Sequence, residues 1–187
     1  FSVKQLRHNL RSKAVLCPGL EVNFDNQIDE TKDRWLYGDG IKDYLEASID
    51  GLDCLPPTPF IISFKTKEEQ LDCALTWTEN TSNTTAESFV NLIPTIGGGT
   101  HVNGLRSGLT EALKEFCEFR SLIPKNIKLT PDDVWQRIAF VLSIKILEPQ
   151  FSGQTKERLS SRECASFVSG VVKDSFSLWL NHHTDIA

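Results

Sequence analysis

Apolar residues recur at helical spacing in four segments of the chain. These segments, each of which predicts a helix, are residues 2–14, 39–50, 102–116 and 162–181. The third segment follows three glycines and Thr100, whose hydroxyl is expected to cap that helix. Ser160 and Glu163 have the spacing of a capping box and are expected to open the fourth.

Alternation of apolar and polar residues, or a short apolar run, marks the predicted strands. They are residues 20–24, 33–38, 60–64, 71–77, 86–93 and 138–146. The first two form a predicted hairpin around an acidic loop, and the last shows the clearest alternation, from Ile138 to Ile146. Strands mixed with long helices at unequal spacing predict an α+β fold.

A proline-rich stretch separates the hairpin region from the later strands. Three of the four residues at 56–59 are proline, which continues neither a helix nor a central strand. We therefore predict a linker at residues 46–59, and this linker divides the chain into residues 1–45 and residues 60–187.

Composition predicts a globular protein without a membrane-spanning segment. Hydrophobic residues make up 40% and charged residues 24%, which are ordinary values, and no run of eighteen apolar residues occurs. The cysteines are widely spaced without a CxxC pair, so we expect reduced thiols in a cytoplasmic protein and no zinc or redox site. Two glycosylation-type triplets at residues 80–85 are interpreted as a polar loop.

Charge is distributed unevenly along the chain. A formal net charge of −5 argues against a generally basic nucleic-acid binder. Residues 1–13 nevertheless contain basic residues and no acid, and Lys4, Arg7 and Arg11 form a stripe along the first predicted helix. This stripe either faces a phosphate backbone or is a solvated helix face, and its short length favours the solvated face.

Two segments carry candidate phosphate chemistry. The glycines at 97–99 precede a helix, where free backbone N–H groups can bind an anion. They match neither the P-loop nor the dinucleotide fingerprint, so a flexible turn is favoured. Gln154, Thr155 and Lys156 lie in a polar loop before the last helix, where the lysine either reaches a polyphosphate or stays solvated. No histidine has metal-ligand spacing, so the residues alone indicate only an α+β domain.

Two longer stretches, residues 89–105 and residues 149–161, resemble the ATP-driven B subunits of bacterial type IIA DNA topoisomerases. The first contains the sequence Gly-Gly-Thr-His and the second the sequence Gln-Thr-Lys, and both are typical of the whole family. The runs at 116–120 and 156–161 resemble the B subunits of the topoisomerase IV branch more than those of the gyrase branch. The resemblance extends over essentially all of the chain.

The resemblance implies that the chain contains parts of two domains with different functions. Residues 60–187 would be a transducer domain, with the fold shared by a small-subunit ribosomal protein and GHMP kinases. Residues 1–45 would be the last helix and hairpin of a GHKL ATPase domain. Lys156 would contact the γ-phosphate of ATP and act in catalysis, with Gln154 and Thr155 beside it in the ATP-binding site.

The resemblance also implies cofactors and partners for the parent protein. The cofactors would be ATP and Mg²⁺, and the partners would be DNA, the A subunit of topoisomerase IV and a second copy bound through the ATPase domain. Basic residues in and just after the third predicted helix would line a cavity for DNA, although acidic residues lie among them, and no DNA-binding residue is assigned. The basic residues are Arg106, Lys114 and Arg120, and the acidic ones are Glu111, Glu115 and Glu118.

We expect the chain to be a piece of a longer protein because it starts at Phe1 and contains no methionine. The family's ATP-hydrolysing residues would lie upstream and its DNA-cleavage metal site downstream. The chain alone is therefore expected to bind no cofactor and to be inactive. Two other classes stay open: a mismatch-repair protein or chaperone of the GHKL class, and a non-enzymatic nucleic-acid-binding domain of the same fold.

Overall fold

The computed structural model describes residues 2–79, 84–124 and 126–187. Its first part consists of a helix, a hairpin and a second helix, as the sequence pattern predicts. Helix α1 is Val3–Leu16, strands β1 and β2 are Val22–Asn26 and Thr31–Trp35, and helix α2 is Ile41–Ser48. β1 and β2 pair antiparallel. The predicted polar loop at residues 80–85 lies mostly outside the described residues.

Within the described residues, the second part is built on a five-stranded mixed sheet. Its strands are β3 (Cys54–Lys65), β4 (Gln70–Thr78), β5 (Ala86–Val90), β6 (Ile93–Pro94) and β7 (Ile138–Lys145). The strand order is β3-β4-β7-β5-β6, and β5 and β7 run parallel while the other neighbours are antiparallel. β7 is central and buried over nearly its whole length, because helices cover both faces of the sheet at this strand.

Three helices complete this part: α3 (Thr100–Phe119), the short α4 (Pro131–Trp135) and α5 (Arg162–His182). α3 and α5 touch through glycines of α3. A Cβ built on Gly104 would lie 2.6 Å from the carbonyl oxygen of Ala165, and one built on Gly108 would lie 2.7 Å from that of Ser169. Because the contacts advance in the same direction along both helices, α3 and α5 run parallel at very short separation.

The main hydrophobic core lies between this helix pair and one face of the sheet. Phe176 of α5 is at its centre, 1% exposed, with ring centroids of Phe60, Trp77 and Trp179 at 5.2, 5.9 and 5.7 Å. Burial of each large aromatic or aliphatic side chain contributes about 1.5–3 kcal/mol. Because both helices contribute residues to this core, it holds α3 and α5 on the sheet.

A second core covers the opposite face of the sheet. Val15 and Leu16 of α1 and Tyr44 and Leu45 of α2 pack with sheet residues, namely Ala74, Phe89, Ala139 and Val141. Two polar contacts add to it: Tyr44 Oη donates to Glu87 Oε1 at 2.6 Å, and Lys13 Nζ donates to the Leu92 carbonyl at 2.6 Å. The helix–hairpin part and the sheet therefore share one buried interface.

The proline-rich stretch is part of a strand, which the sequence pattern did not predict. β3 begins at Cys54 and runs through residues 55–59. β3 is the edge strand of the sheet, where proline is tolerated because its missing N–H can face away from the neighbouring strand. The register with β4 shifts between Leu55 and Phe60, which accommodates the prolines as an irregularity.

The predicted strand at 86–93 is interrupted. Asn91 and Leu92 have positive φ angles of 48° and 66°, which end β5 and start the short β6. The Asn91 side chain fixes this turn to the end of β7, because its Nδ2 donates to the Ile146 carbonyl at 2.9 Å and its Oδ1 accepts from the Ile146 N–H at 3.0 Å.

Both predicted caps of the long helices are wrong. The N-cap of α3 is Gly99, and Thr100 is already the first helical residue, with its Oγ1 buried and unpartnered among the described residues. The N-cap of α5 is Ser161, which forms no side-chain cap. Its Oγ instead accepts from the backbone N–H of Gln150 at 2.9 Å, and this bond ties the preceding loop to the helix start.

The cysteines are free thiols. Burial raises the pKa of Cys164 to about 12 and also raises the pKa of Cys73, so neither thiol carries the thiolate that reactive cysteines need. Among the helices of the described residues, none has the length and apolar character required to cross a bilayer.

Candidate functional site

The loop between β7 and α5 is a closed structure with the Gln-Thr-Lys sequence at its tip. At its base, Phe151 and Leu159 form an antiparallel bridge, and the Ser152 N–H donates to the Arg158 carbonyl at 2.9 Å. The loop that these two contacts close contains Gln154, Thr155 and Lys156, and all three are exposed. Lys156 has a positive φ of 57°, and no ion pair to it occurs among the described residues. The loop therefore presents its tip to solvent.

The base of this loop is attached to the glycine segment before α3. Three backbone hydrogen bonds cross the junction: Gly97 N–H to the Glu157 carbonyl at 2.9 Å, Leu159 N–H to the Gly98 carbonyl at 3.0 Å, and Thr100 N–H to the Leu159 carbonyl at 3.1 Å. Leu159 is 1% exposed and belongs to the main core. The two segments that carry the recognisable sequences, far apart along the chain, thus form one junction.

Gly99 is required at this junction for two reasons. Its φ of 133° lies in a region that residues with a side chain rarely adopt. A Cβ at this position would also lie 2.3 Å from the Leu159 carbonyl oxygen and 2.6 Å from its nitrogen. Only glycine therefore allows the backbone at residue 159 to come this close.

Three of the four backbone N–H groups of residues 97–100 already have acceptors within the chain. The N–H groups of Gly97 and Thr100 bind the loop, and that of Gly98 donates to the Thr95 carbonyl at 2.9 Å. Since these donors are already used by backbone acceptors, they are not available to an anion. The segment is a strand-to-helix turn, the interpretation that the sequence favoured.

A buried polar chain lies behind the glycine segment. His101 is 0% exposed, and its Nε2 lies 3.0 Å from Thr95 Oγ1, which in turn lies 2.7 Å from Ser88 Oγ. Burial lowers the pKa of His101 to about 4, so the ring is neutral at neutral pH. Sequence reasoning missed this role, although position 101 falls in helical register with the buried Leu105 and Leu109.

Two of the three basic residues of the α1 stripe have intramolecular partners. Arg7 pairs with Asp33 of β2 at 2.5 Å. Arg11 Nε donates to Tyr37 Oη at 2.9 Å, and its guanidinium lies 4.7 Å from the centre of the Tyr44 ring. These contacts hold α1 against the hairpin and α2, so the favoured interpretation of the stripe as a solvated face is wrong for two of its three residues.

The basic residues of α3 also have intramolecular contacts. Arg106 forms an ion pair with Asp132 of α4 and lies over the ring of Trp135, and Arg120 lies over the ring of Phe116. The acidic residues Glu111 and Glu115 of α3 are bound by Lys173 of α5, at 3.8 and 2.6 Å respectively. Neither Lys114 nor Arg120 has an ion-pair partner among the described residues, whereas Arg106 is paired with Asp132.

Within the described part of the chain, no group of three His, Cys, Asp or Glu side chains is arranged to hold a metal ion. His182 and His183 bind carbonyls of their own helix, at Leu178 and Trp179, with distances of 2.9 and 3.0 Å.

Comparison with known proteins covers the whole chain. The family model described as DNA gyrase B matches residues 40–187. The B subunits of DNA topoisomerase 4 are 54% identical in Salmonella typhimurium, 55% in Escherichia coli and 56% in Pseudomonas aeruginosa, and each match covers 100% of this chain. The chain spans 30% of the length of each of these relatives.

Solved structures agree with these relatives. A topoisomerase IV ATP binding domain of Francisella tularensis, in complex with a small-molecule inhibitor, superposes with a TM-score of 0.82 at 40% identity. The 43K ATPase domain of Thermus thermophilus gyrase B, in complex with an aminocoumarin, superposes with a TM-score of 0.80 at 27% identity. Each match covers 100% of this chain and 50% of the solved one.

The α+β fold of this chain is thus one found in the topoisomerase IV ATP binding domain and in the gyrase B ATPase domain. The chain belongs to the DNA gyrase B family.

Proposed function

We propose that this chain is part of the ATP-driven subunit of a type IIA DNA topoisomerase and that it transmits the state of the bound nucleotide to the rest of that subunit. In this proposal Lys156 is the residue that senses the nucleotide. The observation that carries it is the exposed loop tip of Gln154, Thr155 and Lys156, whose base is held by backbone hydrogen bonds to the glycine segment and the start of α3.

The chemistry of the loop tip fits a terminal phosphate. A lysine ammonium is a compact cation with three donors and a flexible stem, and Lys156 is exposed on a loop whose base is fixed. Placed against a γ-phosphate, it stabilises the negative charge that develops there during phosphoryl transfer. The amide of Gln154 and the hydroxyl of Thr155 supply neutral donors beside it.

The same contact can also carry a signal. A lysine that binds the γ-phosphate loses that partner once the phosphate has been released. The nucleotide then interacts differently with two arrangements of the protein, which is the condition for shifting the equilibrium between them. Because the junction joins the loop to the start of α3, this shift would reach the helix pair directly.

The domain division follows the same reasoning. Residues 60–187 are proposed to be the transducer domain, with the fold shared by a small-subunit ribosomal protein and GHMP kinases. Residues 1–45 are proposed to be the end of a GHKL ATPase domain, and residues 46–59 connect the two. The buried interface of α1 and α2 with the sheet would then be an interface between domains.

The parent protein is proposed to act in the cytoplasm on DNA with the A subunit of topoisomerase IV and to dimerise through its ATPase domain. ATP and Mg²⁺ would be its cofactors, and Mg²⁺ ligands would come from outside the described residues. The strongest support for topoisomerase IV is the identity of 54–56% to proteins of that name, against 27% for the gyrase B structure.

The test is steady-state ATP hydrolysis by the full-length parent protein with Lys156→Ala, compared with the wild type. We expect kcat to fall about a hundredfold or more, because a removed charge-stabilising donor costs this much in phosphoryl and acyl transfer. Lys67→Ala, which removes an exposed lysine from the β3–β4 turn, is the matched control and should leave kcat unchanged. Near-normal kcat in Lys156→Ala would reject the proposed role.

The B subunit of gyrase is the alternative within the same family. The full-length parent with its A subunit would separate the two on closed circular DNA. Unlinking of catenated circles without negative supercoiling supports topoisomerase IV. ATP-dependent introduction of negative supercoils would assign the protein to gyrase, and DNA binding without any ATP dependence would indicate a non-enzymatic binding domain.

A further inference from the structure

The polar chain of Ser88, Thr95 and His101 is the least expected part of the core. All three side chains are buried, and they connect β5, the end of β6 and the first turn of α3. Buried polar groups cost free energy unless they are hydrogen-bonded. Apolar side chains of the same size would fill this space without that cost. Packing alone therefore does not explain why these three polar side chains are buried here.

Hydrogen bonds link the three side chains. Thr95 Oγ1 lies 2.9 Å from the Ser88 carbonyl, which can only accept, so the Thr95 hydroxyl can donate there. In that arrangement His101 Nε2 donates to Thr95 Oγ1 across 3.0 Å. His101 Nδ1 remains a buried acceptor without a partner among the described residues. The ring is therefore held by one specific bond to Thr95.

This bond spans the glycine segment. Thr95 precedes Gly97 and His101 follows Thr100, so the bond between their side chains closes a short loop around the segment. Thr95 is itself fixed to β5, because its N–H donates to the Ser88 carbonyl at 2.8 Å. The segment inside the closed loop is the one that binds Glu157 and Leu159 through its backbone.

We propose that Thr95 and His101 are positioning residues for Lys156: their hydrogen bond fixes the conformation of residues 97–100 and thereby the loop that carries the lysine. This inference deepens the proposed function and rests on it for the consequence for ATP hydrolysis. The anchoring itself is independent of any nucleotide. Neither side chain touches the loop tip, so both act only through the junction.

The anchoring can be measured on the 187-residue chain without ATP, by hydrogen exchange of single amides. The reporters are the amides of Gly97, Thr100 and Leu159, which donate across or within the junction. Thr95→Val removes the hydroxyl at nearly constant shape, and His101→Leu removes the donor. We expect about tenfold faster exchange of the reporter amides in both variants, since an opened junction exposes them locally.

Conservative variants distinguish positioning from general stability. Thr95→Ser keeps the hydroxyl and His101→Gln keeps an N–H donor, so both should restore slow exchange at the three reporters. Leu109→Ala, a cavity variant in the middle of α3, lowers global stability without touching the junction. It should change the reporters only as much as it changes the other core amides. Unchanged reporters in Thr95→Val and His101→Leu would overturn the inference.

Steady-state kinetics of the full-length parent then tests the consequence. Thr95→Val should lower kcat for ATP hydrolysis about tenfold, and Thr95→Ser should retain it. If the reporters are released in Thr95→Val while both Thr95→Val and Lys156→Ala keep normal kcat, the anchoring stands and the proposed role of Lys156 fails. If Lys156→Ala is inactive and Thr95→Val is normal in both assays, the positioning inference fails and the proposed function stands.

Discussion

The backbone of Gly99 lies directly against the backbone of Leu159, so close that a Cβ on Gly99 would be 2.3 Å from the Leu159 carbonyl oxygen. Hydrogen bonds on either side, from Leu159 to Gly98 and from Thr100 to Leu159, lock this approach in place. The segment before α3 and the loop before α5 therefore behave as one structural unit, although each was recognisable in the sequence only as a separate motif.

Gly99→Ala should open this unit. The new methyl group clashes with the backbone of residue 159, and the φ of 133° is strained for alanine. We expect the free energy of unfolding to fall by at least about 2 kcal/mol, measured by urea denaturation followed by circular dichroism. The amide of Leu159 should also lose its protection from hydrogen exchange.

Gly153→Ala is the matched control for backbone strain. Gly153 also has a positive φ, of 98°, but no heavy atom lies within 4 Å of its built Cβ. Its loss of stability should therefore be about 1 kcal/mol, from strain alone. Equal losses in the two variants would show that the contact with Leu159 adds nothing beyond backbone conformation.

Glycines of the two parallel helices should respond to alanine with opposite signs. In an open helix interior, alanine is favoured over glycine by about 1 kcal/mol. Gly170 of α5 is such a position, with nothing within 4 Å, so Gly170→Ala should raise the free energy of unfolding by up to about 1 kcal/mol. Gly104→Ala should lower it by about 1–3 kcal/mol, because the methyl group meets the Ala165 carbonyl and the Val168 side chain.

The measurement is again urea denaturation, with Gly104→Ala and Gly170→Ala compared under identical conditions. Gly108→Ala, whose methyl group would meet Ser169 and Val172, should behave like Gly104→Ala. Stabilisation by all three variants would mean that α3 and α5 can separate without cost.

His101 should make stability depend on pH in acid. Burial lowers its pKa to about 4 in the folded protein, against 6.5 for the unperturbed ring. Between these values the unfolded chain binds the proton that the folded chain excludes, so stability decreases as the pH falls from 6.5 towards 4. The contribution of His101 between pH 7.5 and pH 5 should be about 2 kcal/mol.

His101→Gln provides the comparison, because glutamine keeps a donor but does not titrate. The free energy of unfolding of the wild type should fall between pH 7.5 and pH 5 by about 2 kcal/mol more than that of His101→Gln. Parallel pH curves for the two proteins would mean that His101 titrates normally and is accessible to water.

The hydrogen bond from Tyr44 to Glu87 should connect α2 to the sheet energetically. Burial, and then the hydrogen bond to Glu87, raise the pKa of Tyr44, so its hydroxyl remains a donor throughout the usual pH range. Tyr44→Phe should lower the free energy of unfolding by about 1–2 kcal/mol. In a double-mutant cycle with Glu87→Ala, the two losses should be less than additive by about 1 kcal/mol, and strict additivity would show that the bond contributes nothing.

Periodicity predicted the helices and most strands because those elements bury one face along a regular repeat. α3 and α5 place apolar residues along the side that enters the main core. β7 is apolar at regular positions because it also enters this core. The strand through Pro56, Pro57 and Pro59 was missed because the sequence does not reveal that β3 is an edge strand. Proline is excluded only from strands with a neighbour on both sides.

The junction and the buried polar chain were beyond sequence reasoning for a different reason. The contacts between residues 97–100 and 157–159 join backbone atoms, so the pattern of side chains in the sequence does not reveal them. Thr100 and Ser160 have side chains suited to capping, but neither is the N-cap of its helix. The loop before α5 instead forms hydrogen bonds with the start of α3 and with the N-cap of α5. Lys156 lies in the loop between the clearest predicted strand and the last helix, as the sequence predicts, and its contact with ATP stays a prediction.

The parallel packing of α3 and α5 has a mechanical consequence. Both helices start at the junction, and with 20 and 21 residues each is a stiff rod about 30 Å long. Because α3 and α5 are in close contact at Gly104 and Gly108, a tilt of the junction would turn both helices together. A rotation of about 10° would carry their far ends through about 5 Å, which is close to the rise of one helix turn.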